Sequence, residues 1–395
     1  MSAATSQQAP SAAQLAAIER SGWGRTFRLV QPHNLAFWVY ALLVGSGGLA
    51  IYNHYVLTGV YAYGQAFAVG VVAFALYTVP FWWFLRSSDR YSTIPGGLAL
   101  AAFVYGGFAA TGALAIYAND SIRTLYAKAV SQTFAFDWSA ALTAPFVEET
   151  AKASGLILLI LLAPTIIRNP FDGLIVGAFL GLGFQIIENL GYVVGSASAA
   201  FGFDQIGSVV PTLGVRMVTG IASHWVYSAI FCAGLVYFLG RPGFAAQRGR
   251  GLTLMALAML LHGLWDGAAA MSAGNAGLAA LSQFGLPIVL LGVFAWVYRT
   301  TSRTEQQSVR DILAPEVERG TLTPEELDAV SGTRKQRRHH VKAAQRGADR
   351  KAARHVLHAA LDLTEQLAIA RAADTPAVEH ARSEIARVRA GSTVS

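Results

Sequence analysis

Apolar residues run in eight stretches of near membrane-spanning length, and the pattern ends abruptly after Tyr298. The stretches fall at about 35–56, 61–85, 98–118, 138–163, 171–194, 210–239, 252–271 and 276–298. Each is close to the roughly 20 residues an α-helix needs to cross a bilayer. The sixth is long, and its start reads as an interfacial turn at Pro211. The polar/apolar alternation of barrel strands is missing, which leaves helices as the spanning form. The pattern therefore predicts an all-α, polytopic membrane helix bundle of about eight transmembrane helices, followed by a soluble helical C-terminal tail.

Composition agrees: 54 % of the 395 residues are hydrophobic and 13 % are charged, half the charge of a soluble globular chain. After Tyr298 lie 17 of the 30 Lys and Arg and 13 of the 23 Asp and Glu. Three regions follow: an N-terminal segment, 1–34, with a short surface helix near 11–20; a transmembrane region, 35–298; and a basic helical tail, 299–395. The N-terminal segment holds no apolar run of signal-peptide length, so it is expected to be retained. Basic residues collect on one side of the alternating connections (Arg20, Arg25, Arg28, Arg86, Arg90, Arg168, Arg241, Arg248, Arg250), against Arg123, Lys128 and Arg216 on the other. That bias places both termini in the cytoplasm of a multi-pass membrane protein. The net charge of +7 is spread over loops and tail, not concentrated as a nucleic-acid surface requires. The single cysteine, Cys232, excludes a disulfide scaffold.

The tail has helix-start signals at Thr323-Pro324-Glu325-Glu326 and at Asp374-Thr375-Pro376. Val378, Ala381, Ile385 and Val388 form a stripe expected to pack on Val356, Leu363 and Leu367 in a small helical hairpin. The cluster Arg334, Lys335, Arg337 and Arg338 reads as a solvated face or a contact with anionic headgroups.

Inside the spans, the informative residues are those the bilayer disfavours. Glu148, Glu149 and Lys152 lie in the fourth span, Glu188 in the fifth, His224 in the sixth, and His262 and Asp266 in the seventh. Ionisable groups at such depth cost a few kcal/mol each and mark pathways or sites. Counting from the cytoplasmic end of each span at about 1.5 Å per residue, Glu148, Glu188, His224 and Asp266 lie about 21 to 26 Å up, and His262 about 15 Å. Most of them share a layer above the midplane of a hydrocarbon core of about 30 Å. Spacing adds that Glu148 and Lys152, His262 and Asp266, and Phe184 and Glu188 each share a helix face. Lys152 is positioned to keep one carboxylate ionised, and Asp266 to orient the His262 ring. Glu148 and Glu149 are adjacent and cannot face one point, so they divide the work. Gly173, Gly177 and Gly181 recur every four residues, a stripe that lets another helix come close, as ordinary packing also requires.

These residues spell an ordered set: Glu148-Glu149-Thr150-Ala151-Lys152 (EExxK), Phe184-Gln185-Ile186-Ile187-Glu188-Asn189 (FxxxEN) and His262-Gly263-Leu264-Trp265-Asp266 (HxxxD), with His224 between the last two. The set resembles the PrsW family of intramembrane proteases, which is distantly similar to the type II CAAX prenyl endopeptidases and bacteriocin-processing enzymes. The resemblance covers roughly 138–271. It implies hydrolysis of a peptide bond in a single-span or membrane-associated protein, in relatives often an anti-sigma factor. Glu148 or Glu149 would be the general base on water, and His224 and His262 would stabilise the oxyanion or protonate the leaving amine. Lys152, Phe184, Glu188, Asn189 and Asp266 would support them.

Glu149, Glu188, His224 and His262 could also complete a tetrahedral zinc site; HExxH is absent, and the residues favour the metal-free glutamate mechanism over zinc. The same carboxylates and histidines would suit a proton-coupled or ion-coupled transporter, yet nothing in the spans repeats as inverted repeats would. His54 reads as an interfacial residue and Arg216 as one snorkelling to the interface.

Overall fold

The computed structural model describes residues 10–91, 94–344 and 347–392; the expectation that the N-terminus is retained falls partly on residues 1–9, outside the described residues. Among the described residues the chain is helical throughout, with one isolated bridge between Arg241 and Phe244. In chain order the helices are α1 (Ala12–Arg20), α2 (Leu35–Ile51), α3 (Thr58–Ser88), α4 (Gly96–Val104), α5 (Ile116–Ala129), α6 (Gln132–Leu162), α7 (Pro170–Ala199) and α8 (Gln205–Thr219). There follow α9 (His224–Leu239), α10 (Arg248–Asp266), α11 (Ala268–Ser272), α12 (Ala276–Glu318), α13 (Pro324–Ser331), α14 (Arg334–Ala343), α15 (Gly347–Ile369) and α16 (Pro376–Ser392). The chain forms two compact units: Phe27–Arg90 with Ile94–Arg299, and Met1–Thr26 with Tyr91–Thr93 and Thr300–Ser395.

Among the described residues, six helical segments are long and apolar enough to cross a membrane: Leu35–Leu57, Gly59–Ser88, Gly96–Ala129, Pro170–Ala199, Gln205–Leu239 and Ala276–Glu318. The fourth and seventh expected spans are also helices, α6 and α10, but their ionisable residues take them below that threshold. Three boundaries differ from expectation. The sixth stretch does not begin with a turn at Pro211, which lies inside α8, and it is interrupted at Gly220–Ala222 and at Ser223, whose φ/ψ of −145°/−143° is non-helical. The third carries a π-helical segment, Tyr105–Ala115, between α4 and α5. The eighth does not stop near Tyr298, because the sequence offers no Gly or Pro there and α12 continues to Glu318.

In the membrane unit α7 is central. Its apolar window is 89 % buried, against 22 % and 17 % for the first two spans, so α7 is surrounded by protein where α2 and α3 face lipid. It packs on α3, α4, α8, α9 and the π-helical segment. Asn169 caps its start in a reciprocal box with Asp172, and Pro170 occupies the first turn. The glycine stripe explains the closest of these contacts. A Cβ at Gly173 would lie 2.9 Å from the Cys232 carbonyl oxygen, and one at Gly177 would lie 2.5 Å from that of Ser228. At Gly181 it would overlap the carbonyl of His224. Three glycines, four apart, thus receive His224, Ser228 and Cys232, also four apart, and α9 lies backbone to backbone on α7.

Replacing Gly177 with Ala is expected to destabilise the bundle by about 1–3 kcal/mol, since the overlap is with backbone. Gly45, with nothing within 4 Å of its Cβ position, provides the contrast. Gly45→Ala is expected to be neutral or stabilising by up to about 1 kcal/mol through helix propensity. Thermal unfolding of both variants in detergent checks the pair, and equal midpoints would refute the close-packing account.

The second unit has its own core. Val378, Ala381 and Ile385 of α16 pack with Val356, Leu363 and Leu367 of α15, as the stripe predicts, with Val388 partly buried beside them. Thr323 and Glu326 form the expected capping box of α13. The unit is larger than a hairpin. Ala17, Ile18 and Trp23 join the same core with Val309, Ile312 and Leu313, and the Gln14 side chain donates to the Ile312 carbonyl at 2.9 Å. The surface helix α1 is therefore half buried.

Arg382 ties this unit together. Its guanidinium donates to both oxygens of buried Glu316 at 2.9 and 2.7 Å and to Asp374 at 2.7 Å. The hydrogen bond from Arg382 holds the Asp374 carboxyl below its ordinary range, against the opposing effect of burial. A depressed carboxyl stabilises fully above its unfolded value, near 3.9, and its contribution is lost as pH falls through the folded value. Arg382→Met is expected to cost on the order of 3 kcal/mol at neutral pH, because Glu316 is left buried without its partner. Urea-dependent proteolysis of region 299–395 in the whole chain should show that gap, and show it narrowing below about pH 4.

Candidate active site

Four helices of the membrane unit bring the expected residues to one place. α6 contributes Glu148, Glu149 and Lys152; α7 contributes Phe184, Glu188 and Asn189; α9 starts at His224; and α10 carries His262 and ends at Asp266. The break at Ser223 makes His224 the first residue of its helix. Glu148 and His224, whose depths agree by span length, meet here, and His262, placed lower by the same count, joins them: their ligand atoms all lie within 4.8 Å of one another.

The two adjacent glutamates diverge. Glu149 is fully buried and engaged: Lys152 Nζ donates to its Oε1 at 2.7 Å, and Ser228 Oγ donates to its Oε2 at 3.0 Å. Glu148 accepts from Asn119 Nδ2 through Oε1 at 3.1 Å. Its Oε2 has no hydrogen-bond partner among the described residues. That oxygen lies 3.6 Å from His224 Nδ1, 3.8 Å from His262 Nε2 and 3.7 Å from Lys152 Nζ. Glu148 also lines a cavity of about 780 Å³ together with Glu188, His262 and Asp266, and Asn119, Asp120 and Arg123 lie along its wall.

Each histidine turns one ring nitrogen toward Glu148 and the other toward a different carboxylate. His224 Nε2 is 2.9 Å from Glu188 Oε2, and His262 Nδ1 is 3.3 Å from Glu149 Oε1. A carboxylate behind the far nitrogen is how metal-binding or catalytic imidazoles are commonly oriented, since it fixes the ring and raises the basicity of the near nitrogen. Asp266 Oδ2 lies 3.4 Å from His262 Nε2, on the cavity side. Lys152 Nζ sits 4.2 Å above the Phe184 ring and 3.3 Å from His224 Nδ1, so the aromatic residue of the FxxxEN segment supports the buried ammonium.

The zinc set expected from the sequence changes. Glu149 and Glu188 are occupied by Lys152 and Ser228, and by Arg216 and His224 respectively, while Glu148 presents the free oxygen. The group that could hold a metal ion is Glu148, His224 and His262. The donor set fits a divalent cation on two grounds besides proximity. An orphaned carboxylate oxygen faces the histidines. Among the described residues, four carboxylates (Glu148, Glu149, Glu188, Asp266) also share two fixed cations at ion-pair distance, Lys152 and Arg216, a formal deficit of two positive charges.

Four residues were not expected here. Arg216 does not snorkel: it turns inward to Glu188 at 2.8 Å and Asn189 at 2.6 Å. The legible signal was an arginine in an apolar helix, with a carboxylate on the preceding one. Ser228 is one turn beyond His224, on the face that meets Gly177. Tyr227 stacks on His262 with centroids 4.7 Å apart at 6°. Asn119 comes from the third span, where only ionisable residues were sought.

Residues 94–298 match the family model described as PrsW family intramembrane metalloprotease. No curated protein and no solved structure matches the chain. The matched region is just over half of the 395 residues and holds every side chain of the cluster described above. With the EExxK, FxxxEN and HxxxD residues converging in one buried site, the chain belongs to the PrsW family of intramembrane proteases.

Proposed function

We propose that the chain hydrolyses a peptide bond of a single-span or membrane-associated protein, with Glu148 as the carboxylate that handles water. The observation that carries this reading is the Glu148 Oε2 atom, unpartnered, facing two histidines on the wall of a cavity of about 780 Å³. Asn119 holds the other oxygen and so aims the free one. Glu148 takes a proton from water as the water oxygen attacks the scissile carbonyl, and returns it to the amine as the C–N bond breaks. Of the two rings, His262, stacked on Tyr227, turns Nε2 toward Glu148 and Asp266 and would donate where the oxyanion develops, while His224, bonded to Glu188 through Nε2, turns Nδ1 toward Glu148 and Lys152. Glu149 keeps Lys152 and His262 in place and is a positioning residue.

Glu148, His224 and His262 would hold a divalent cation, which when bound would lower the pKa of water and polarise the carbonyl. The charge deficit and the carboxylates behind both imidazoles support that reading over the metal-free one favoured by sequence. The basic-residue bias supports placing both termini in the cytoplasm. A membrane-anchored regulator of the anti-sigma type is the substrate class the family resemblance suggests.

Purified protein in liposomes with a single-span reporter tests the proposal. Cleavage that fails in both Glu148→Ala and His262→Ala is expected, as is cleavage lost on chelation and restored by zinc. Proton-coupled uptake that depends on the same residues, with an intact reporter, would overturn it.

A further inference from the structure

Arg216 is a fixed cation of the site that lies outside all three motifs. Its Nη2 donates to Glu188 Oε2 at 2.8 Å, its Nε donates to Asn189 Oδ1 at 2.6 Å, and its guanidinium carbon lies 4.1 Å from the Tyr192 ring centroid. The same Glu188 oxygen is 2.9 Å from His224 Nε2. One carboxylate oxygen thus bridges a guanidinium on α8 and the imidazole that begins α9. These two helices are separated by the interruption at Gly220–Ala222 and by the non-helical Ser223. The backbone across the break does not itself fix His224 relative to α8. Cross-helix bonds do so: Tyr77 to the Met217 carbonyl at 2.7 Å, Gln185 to the Gly220 carbonyl at 3.0 Å, and Arg216 to the Glu188-Asn189 pair.

We propose that Arg216 is a positioning residue that acts through Glu188 to set the orientation and tautomer of His224. With two acceptors and an aromatic face, the planar guanidinium has one seat. Glu188 Oε2 is then held where the His224 Nε2 proton meets it, and Nδ1 is left to accept from Lys152 Nζ, 3.3 Å away, beside Glu148. Without the guanidinium, Glu188 is free to turn into the cavity it lines, and the His224 ring keeps Lys152 at Nδ1 but loses its stop at Nε2. The inference rests on the proteolytic reading above and names a residue that the family motifs do not include.

The test is a double-mutant cycle on reporter cleavage in liposomes, with kcat and KM separated. Arg216→Met is expected to lower kcat by about 10- to 100-fold, the range for losing an outer hydrogen-bond partner of a site imidazole, with KM unchanged. In a Glu188→Gln background the same change is expected to have little further effect, because its route is already cut. Arg216→Lys, which keeps the charge and reaches one acceptor, should recover part of the loss and serves if the Met variant does not fold. Parent-like kcat, a loss confined to KM, or an equal loss in both backgrounds would each overturn the proposal.

A readout independent of turnover is nitrogen NMR of histidine-labelled protein, with His224 assigned by its replacement. The parent should show His224 protonated at Nε2 and Arg216→Met a mixture of tautomers. Identical spectra would refute the inference. A parent chain that cleaves no reporter would defeat the proteolytic reading and leave this measurement standing.

Discussion

Glu148→Gln is expected to lower kcat for reporter cleavage by about 10³-fold or more while leaving the fold intact, within the range for removing a general acid–base. The two halves of that expectation come from the same atom. Oε2 makes no hydrogen bond among the described residues, so exchanging it for an amide breaks no hydrogen bond there. Oε1 keeps its bond from Asn119. The change also removes one of four carboxylates that face two fixed cations, so the unfolding midpoint should hold or rise. What disappears is a basic oxygen beside His224 and His262 and a donor of the metal-capable group. Kinetics in liposomes, thermal unfolding and zinc content of the purified protein together check it. Cleavage near the parent rate would remove Glu148 from the chemistry.

Glu149→Gln, one residue away, separates the two roles. It replaces an oxygen that receives Lys152 Nζ at 2.7 Å and one that receives Ser228. Its effect should therefore fall on stability before it falls on the reaction. The sequence could not make that assignment. Adjacent residues on a helix diverge by about 100°, which says that one faces the cavity and one the interior, but which is which depends on what α7 and α9 bring beside them.

The same distinction runs through the rest of the molecule. Features set by local pattern were legible: the helical class, the α13 capping box, the α15 and α16 stripe, and the depth agreement of Glu148, Glu188, His224 and Asp266. Features set by partners were not. Arg216 at the end of a span looks the same whether it points to headgroups or to Glu188, because the choice is made by a carboxylate on another helix. An interfacial turn is expected at Pro211, where a ring removes a backbone donor, yet α8 accommodates that proline in its second turn. The chain parts instead at Gly220, where a Cβ would meet the side chains of Gln185 and Tyr77, a contact no single-helix reading contains.

Lys152→Met is expected to cost about 3–5 kcal/mol of stability, the range for leaving a buried charge without its partner. Lys152 has no exposed side-chain surface, and neither has Glu149, 2.7 Å away. The ammonium is also within 3.7 Å of Glu148 and 3.3 Å of His224. Methionine has nearly the same length and would rest on Phe184 as the lysine stem does, so the loss is not one of volume. It is one of charge: the four carboxylates would be left with Arg216, which pairs with Glu188, and Glu149 would be enclosed without a cation. If that is the cause, removing the second charge should return most of the loss. Lys152→Met with Glu149→Gln is expected to unfold within about 1–2 kcal/mol of the parent, because a neutral pair in a buried site is often as stable as the ion pair it replaces. Unfolding of the three proteins in one detergent decides the matter. A double variant no more stable than Lys152→Met would mean that the lysine is held for its shape, and the electrostatic account of the EExxK segment would fall.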